Sequence, residues 1–125
     1  RITMQNMKLL NFIDLKLEEK KMILKWRNNP NIKKYMYTKD DISLENHLKF
    51  IDSLKNSKDE LYFIVKKDDQ YIGVIDFVNI KLNESLIMGI YTNPNLKGNG
   101  KILLETIINF SFNILKVKKI ILILD

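Results

Sequence analysis

Gly98 and Gly100 flank Asn99 where one apolar run, Leu86 to Tyr91, has ended and another, from Ile102, begins. Asn93-Pro94 stops the first run as a strand, and the second reads as a helix reaching Leu115. Glycines at a strand-to-helix turn let several backbone N–H groups converge on one anion, and the helix N-terminus adds about half a positive charge. The chemistry of such a turn is phosphate binding, and its plain alternative is a tight turn that needs positive φ. Two nucleotide-binding loops fail on spacing. No Ser or Thr follows Lys101 as G-x-x-x-x-G-K-[ST] requires, and Leu103 stands where G-x-G-x-x-G places its third glycine.

Other residues carry chemistry singly. Asp76 lies mid-strand among apolar neighbours, where an unpaired carboxylate is costly, so it is either paired with a loop donor or faces a cleft as a base. His47 falls on an apolar helical stripe, which suits a hydrogen-bonded core histidine or a ligand contact. Arg27 is the only arginine besides Arg1. A guanidinium can grip a diphosphate bidentately as lysine cannot, and near a helix C-terminus it can equally face the dipole. Met36, Tyr37 and Phe50 read first as core.

Composition narrows the chemistry. With no cysteine there is no disulfide scaffold, thiolate zinc site or cysteine nucleophile, and an acyl-cysteine intermediate is excluded. One histidine removes a multi-His metal site and disfavours a Ser/His/Asp triad, so no metal is expected. No apolar run approaches the roughly 20 residues of a membrane span, and no signal-peptide layout opens the chain; a soluble cytoplasmic domain is expected, without a membrane partner. The net charge of +6 comes from 19 Lys and two Arg, the lysines scattered and often beside acids, as in Lys66-Lys67-Asp68-Asp69. That is a solvated surface and not a nucleic-acid stripe.

The elements that must position these residues follow from the pattern. Met7 to Phe12 reads as an edge strand and Glu18 to Arg27 as a helix with Met22, Ile23 and Trp26 inward, ended by Asn28-Asn29-Pro30. Ser43 caps a second helix, Leu44 to Lys55, with stripe Leu44, His47, Leu48, Ile51 and Leu54. Leu61–Val65 and Tyr71–Val78 read as strands joined by hairpin-turn residues 67–70, and Lys119–Leu124 as a buried last strand. The order is β-α-α-β-β-β-α-β, an antiparallel meander and one helical crossover. A single domain spans 1–125, with residues 1–6 expected as a leader because Met7 is an equally good start. A strand edge with nothing beside it is a poor end for a domain, so a further C-terminal piece is expected after residue 125.

The strand–turn–helix resembles motif A of the GNAT superfamily of N-acetyltransferases, [Q/R]-x-x-G-x-[G/A], with Gly98 and Gly100 at its glycines and Asn95 in place of Gln or Arg. Leu24–Ile32 with its Trp26-Arg27-Asn28 core, then Tyr35-Met36-Tyr37, His47–Ile51 and Gly73–Phe77 are similar to one subgroup, the nucleotide-sugar N-acetyltransferases of bacterial pseudaminic acid biosynthesis. The resemblance covers residues 7–125. It implies an α+β GNAT acyl-CoA N-acyltransferase fold, a central, largely antiparallel sheet with flanking helices. It also implies acetyl-CoA as co-substrate, with the pyrophosphate on the amides of Leu96, Lys97, Gly98, Asn99, Gly100, Lys101 and Ile102. A bulged strand at Gly89 to Thr92, Ile90 and Tyr91 included, would bond the pantetheine arm.

By the same resemblance the reaction is direct acetylation of the 4-amino group of a UDP-linked amino-6-deoxy sugar, feeding flagellin glycosylation, with a homodimer compatible. Arg27 and His47 would contact the sugar nucleotide, and Met36, Tyr37 and Phe50 would wall the sugar's methyl group. Asp76, or His47 through water, is the candidate base. The thiolate's proton donor in the superfamily is often a tyrosine beyond the last strand here, with Tyr91 as the alternative within the chain. The Trp-Arg-Asn-x-Pro element also occurs in RimJ/RimL-like protein N-terminal acetyltransferases. Acetylation of a protein N-terminus and a non-catalytic CoA-binding module therefore stand as the other readings.

Overall fold

Asp68 and Asp69 both adopt positive φ, 50° and 68°, and so make the two-residue turn whose twist suits a tight hairpin. In the computed structural model, which describes residues 6–36 and 40–122, that turn joins β2 (Leu61–Lys67) to β3 (Gln70–Lys81). The strands before and after extend the pairing: β1 (Met7–Asn11) lies antiparallel to β2, and β4 (Ser85–Thr92) antiparallel to β3. A crossover through α4 (Gly100–Asn113) places β5 (Lys119–Ile121) parallel to β4, giving a sheet in the order β1-β2-β3-β4-β5. Between β1 and β2 run α1 (Leu17–Asn28), the single turn α2 (Pro30–Lys33) and α3 (Leu44–Ser53). The expected meander and crossover are both present.

The hairpin is not regular throughout. Lys66 pairs with Tyr71, but Val65 pairs with Gly73, so Ile72 is an extra residue on β3. This bulge sets the register of everything beyond it, including Tyr62 opposite Asp76.

Both sheet faces are covered, which is why β2 and β3 read as nearly continuous apolar runs. On one face Phe63, Ile75, Phe77 and Leu86 pack with Leu103 and Ile107 of α4. On the other, Ile64 and Val74 pack with Ile23 and Trp26 of α1, Ile51 of α3 and Phe12. Helix α1 starts where the Lys16 N–H donates to the Glu19 carboxylate at 2.9 Å, and it ends before Pro30, which opens α2 at its first position.

Several expectations are corrected. The second helix ends at Ser53 and tightens into a 3₁₀ turn over Leu54–Asn56, and Leu44 of its expected stripe is exposed because it sits at the first helical position, outside the core. The last strand is exposed at Lys119 and Ile121, since only β4 flanks its described part. Ile123 and Leu124 lie outside the described residues.

Gly73 sits where α4 comes close to the sheet: a Cβ there would stand 2.6 Å from a Leu103 methyl and 2.8 Å from the Tyr91 carbonyl oxygen. Gly73→Ala is therefore expected to lower stability by about 1–3 kcal/mol, read from urea unfolding. An unchanged midpoint would show that the helix can retreat freely.

Candidate functional site

Cross-strand pairing puts Tyr62 of β2, Asp76 of β3 and Gly89 of β4 in one rung of the sheet, on one face. A Cβ on Gly89 would run into both carboxylate oxygens of Asp76, so this glycine is what lets the carboxyl lie flat across the neighbouring strand. Burial, and after it the Glu60 carboxylate, push Asp76 up to about 7. Burial likewise raises the Tyr62 and Tyr91 phenols far above their ordinary range, and the nearby Asp76 charge adds to both shifts. Both phenols stay protonated at neutral pH.

These groups line a cavity of about 430 Å³. It gathers Arg27, Met36, His47, Phe50, Asp76 and Tyr91, together with Ile90, from four separate elements and one loop. Tyr37 lies outside the described residues. Burial draws the Arg27 guanidinium below its usual range, opposed by Tyr91 and Asp41. Next to Arg27, the Asn28 side chain donates to the Ile42 carbonyl at 2.9 Å and accepts from its N–H at 2.8 Å. That pair fixes Ile42 as part of the wall.

His47 shows both of its expected characters. Its Nε2 lies 2.8 Å from the Lys20 carbonyl oxygen, which can only accept, so Nε2 carries the proton and ties α3 to α1. Burial lowers its pKa, leaving a neutral ring with Nδ1 unprotonated. The ring is buried yet borders the cavity.

The turn after β4 is the second half of the site. Asn93 organises it: its side-chain oxygen accepts from the Asn95 N–H at 2.9 Å and its carbonyl from the Leu96 N–H at 3.1 Å. Leu96 therefore drops out of the expected anion cradle, because its amide is already engaged and its side chain packs on the core. Gly98 takes φ +81°, and the first helical bond of α4 runs from the Leu103 N–H to the Asn99 carbonyl. The amides of Asn99, Gly100, Lys101 and Ile102 are the four that this helix start leaves without intrahelical partners, and those of Lys97 and Gly98 lead into them. A Cβ on Gly100 would meet nothing within 4 Å, so protein packing does not demand a glycine there.

The bulge expected over Gly89–Thr92 is also corrected. Pairing of β4 with β3 continues without a shift from Ile87 to Thr92. On its other edge β4 pairs with β5 over Ser85–Ile87 among the described residues.

Comparison with known proteins identifies the family. Residues 10–125 match the acetyltransferase (GNAT) domain family. The chain belongs to the GNAT acetyltransferase family. Acetyltransferase PseH of Campylobacter jejuni strain 81-176 is 48% identical to this GNAT domain over 110 residues, which span 88% of this chain and 69% of that protein. The crystal structure of Campylobacter jejuni N-acetyltransferase PseH in complex with acetyl coenzyme A superposes with a TM-score of 0.75 at 41% identity, over 91% of this chain and 73% of that one. Spermidine N-acetyltransferase from Vibrio cholerae, in complex with CoA and spermine, gives 0.81 at 23% identity over 94% and 70%, a likeness of fold.

The cavity of this GNAT domain has walls that the sequence did not single out: Phe12, Ile42, Tyr62 and Met88. Tyr62 alternates with core residues on β2, and only the bulge at Ile72 turns it to face Asp76. Among the described residues no three His, Cys, Asp or Glu side chains group as metal ligands, and no helix is long and apolar enough to cross a membrane.

Because Asp76 titrates near 7 when folded and near 3.8 otherwise, the folded state holds an extra proton between those values. Stability contributed by the protonated carboxyl is present below about 4 and is lost as pH rises to about 7. Asp76→Asn should therefore melt with a smaller fall between pH 5 and pH 8 than the parent. Parallel pH dependences in the two proteins would contradict the raised pKa.

Proposed function

We propose that this GNAT domain transfers acetyl from acetyl-CoA to the 4-amino group of UDP-4-amino-4,6-dideoxy-N-acetyl-altrosamine, in the cytoplasm, as a step of pseudaminic acid biosynthesis for flagellin glycosylation. The observation that carries the reading is the cavity itself. It sets one carboxyl group of raised pKa among apolar and aromatic walls, with an arginine at the same cavity, and the relative at 48% identity is an acetyltransferase named PseH.

The residues present fit acetyl-CoA. A run of amides from Lys97 to Ile102 at a helix start suits a pyrophosphate, and the open space at Gly100 leaves room for its approach. The backbone of β4 from Gly89 to Tyr91 borders the cavity and would offer its polar groups to an amide-bearing arm. When bound, acetyl-CoA supplies an acetyl group activated as a thioester.

The chain's own residues then divide the work on the acceptor. An amine arrives protonated at neutral pH and must lose that proton before it can attack. Asp76, poised near 7, accepts a proton over the pH range where the enzyme would work. A backbone N–H near Ile90 or Tyr91 would stabilise negative charge on the acetyl oxygen. Tyr91, a protonated phenol at the same cavity, can donate a hydrogen bond to the leaving thiolate, but burial makes it a weak acid, so the thiolate's proton is assigned first to a tyrosine beyond the last strand. Arg27 suits the UDP diphosphate, while Met36 and Phe50 suit a deoxy-sugar methyl. No cysteine is present to carry the acetyl group, so transfer is direct.

Incubation with acetyl-CoA and the UDP-4-amino sugar, followed by mass spectrometry, is expected to show one acetyl group on the sugar. Transfer to N-terminal peptides alone would replace this reading with a protein N-terminal acetyltransferase. CoA binding without any transfer would replace it with a binding module.

The cradle is tested separately by Gly100→Val. The open space predicts a folded variant with an unchanged melting point and acetyl-CoA affinity lowered at least about tenfold, about the loss of one charge-assisted hydrogen bond. Parent-like affinity by calorimetry would remove the phosphate from this turn.

A further inference from the structure

Tyr62 stands apart from the other cavity residues in how firmly it is held. Its ring packs between Phe12, with centroids 5.3 Å apart, and Phe50, edge-on at 87° and 5.0 Å. Its cross-strand neighbour on the same face is Asp76. The hydroxyl has no hydrogen-bond partner among the described residues, yet the side chain borders the cavity that Asp76 and Tyr91 also line. A fixed phenol beside a carboxyl group, in a cavity, without a partner among the described residues, is a polar group suited to a ligand.

We propose that Tyr62 is a further catalytic residue of this site, its hydroxyl holding the acceptor amine against the Asp76 carboxylate. The inference rests on the acceptor reading given above. As the ammonium enters, one N–H passes its proton to Asp76 and a second donates to the Tyr62 oxygen. The nitrogen lone pair released by the first transfer is then oriented by the second contact. The proton ends on Asp76, and Tyr62 remains protonated throughout. Burial keeps its phenol neutral, so the oxygen accepts from the amine without competing for that proton. Phe12 and Phe50 supply the rigidity, since a ring clamped by two aromatic neighbours cannot swing the hydroxyl away.

Tyr62→Phe keeps the ring and removes only the oxygen, so the fold should survive, with a melting point within a few degrees of the parent. Steady-state kinetics with acetyl-CoA and the UDP-4-amino sugar can follow thiol release, because the protein contributes no thiol of its own. The expected result is a fall of about tenfold or more in kcat/KM for the sugar, with the KM for acetyl-CoA unchanged, the scale of one hydrogen bond lost at the reacting group. Sugar kinetics within twofold of the parent would overturn the proposal. So would equal losses on the sugar and acetyl-CoA sides, which would mark Tyr62 as structural. The Asp76 assignment fails on different grounds: Asp76→Asn retaining parent activity would remove it, whatever Tyr62→Phe shows.

Discussion

The Asp76 carboxyl group lying across Gly89 is the contact on which the site depends. A carboxylate in the middle of a covered sheet is disfavoured unless something makes room for it and something else shares its charge. Here the missing side chain at Gly89 makes the room, and the carboxyl group borders a cavity, which the proposed reading fills with the acceptor. The same burial that makes Asp76 costly raises its pKa to about 7, the range in which a carboxyl group serves as a base at neutral pH. Any side chain at position 89 would displace the carboxyl group and lose both effects together.

Strand β4 links that contact to the other half of the site. Its residues from Gly89 to Tyr91 border the acceptor cavity, and two residues later Asn93 folds the chain into the turn that starts α4. One strand thereby links the proposed base to the proposed anion cradle. The close approach of Leu103 to Gly73 seats α4 on the sheet. His47 and Asn28 do the equivalent on the opposite side, tying α3 and the segment at Ile42 to the ends of α1.

Much of this could be read from the sequence because the signals are local. The strand-to-helix glycines, the apolar runs of β2 to β4, and the proline after α1 all act within a few residues of themselves. The cavity residues Arg27, Met36, His47, Phe50, Asp76 and Tyr91 were legible by resemblance and residue chemistry, and the fold brings them together. What stayed hidden depends on register. An unbroken two-residue hairpin from Lys67 and Gln70 pairs Tyr62 with Ile75, on the wrong face. The extra residue at Ile72 advances β3 by one and sets Tyr62 against Asp76. No local composition marks that bulge. Leu96 was misassigned for a related reason, since its amide is taken by a turn that Asn93 builds and that the motif spacing does not show. Strand β4 carries no bulge against β3 between Ile87 and Thr92, so the bulge that the resemblance implied is not in this pairing.

The account stands on the environment of one carboxyl group, and that can be measured without substrate. A carbon-13 NMR titration of the Asp76 side-chain carboxyl, assigned by its loss in Asp76→Asn, reads its protonation directly. A midpoint near 7 is predicted from burial and the Glu60 charge. A midpoint near the ordinary 3.8 would show a solvated carboxylate and contradict its role as the base of this site.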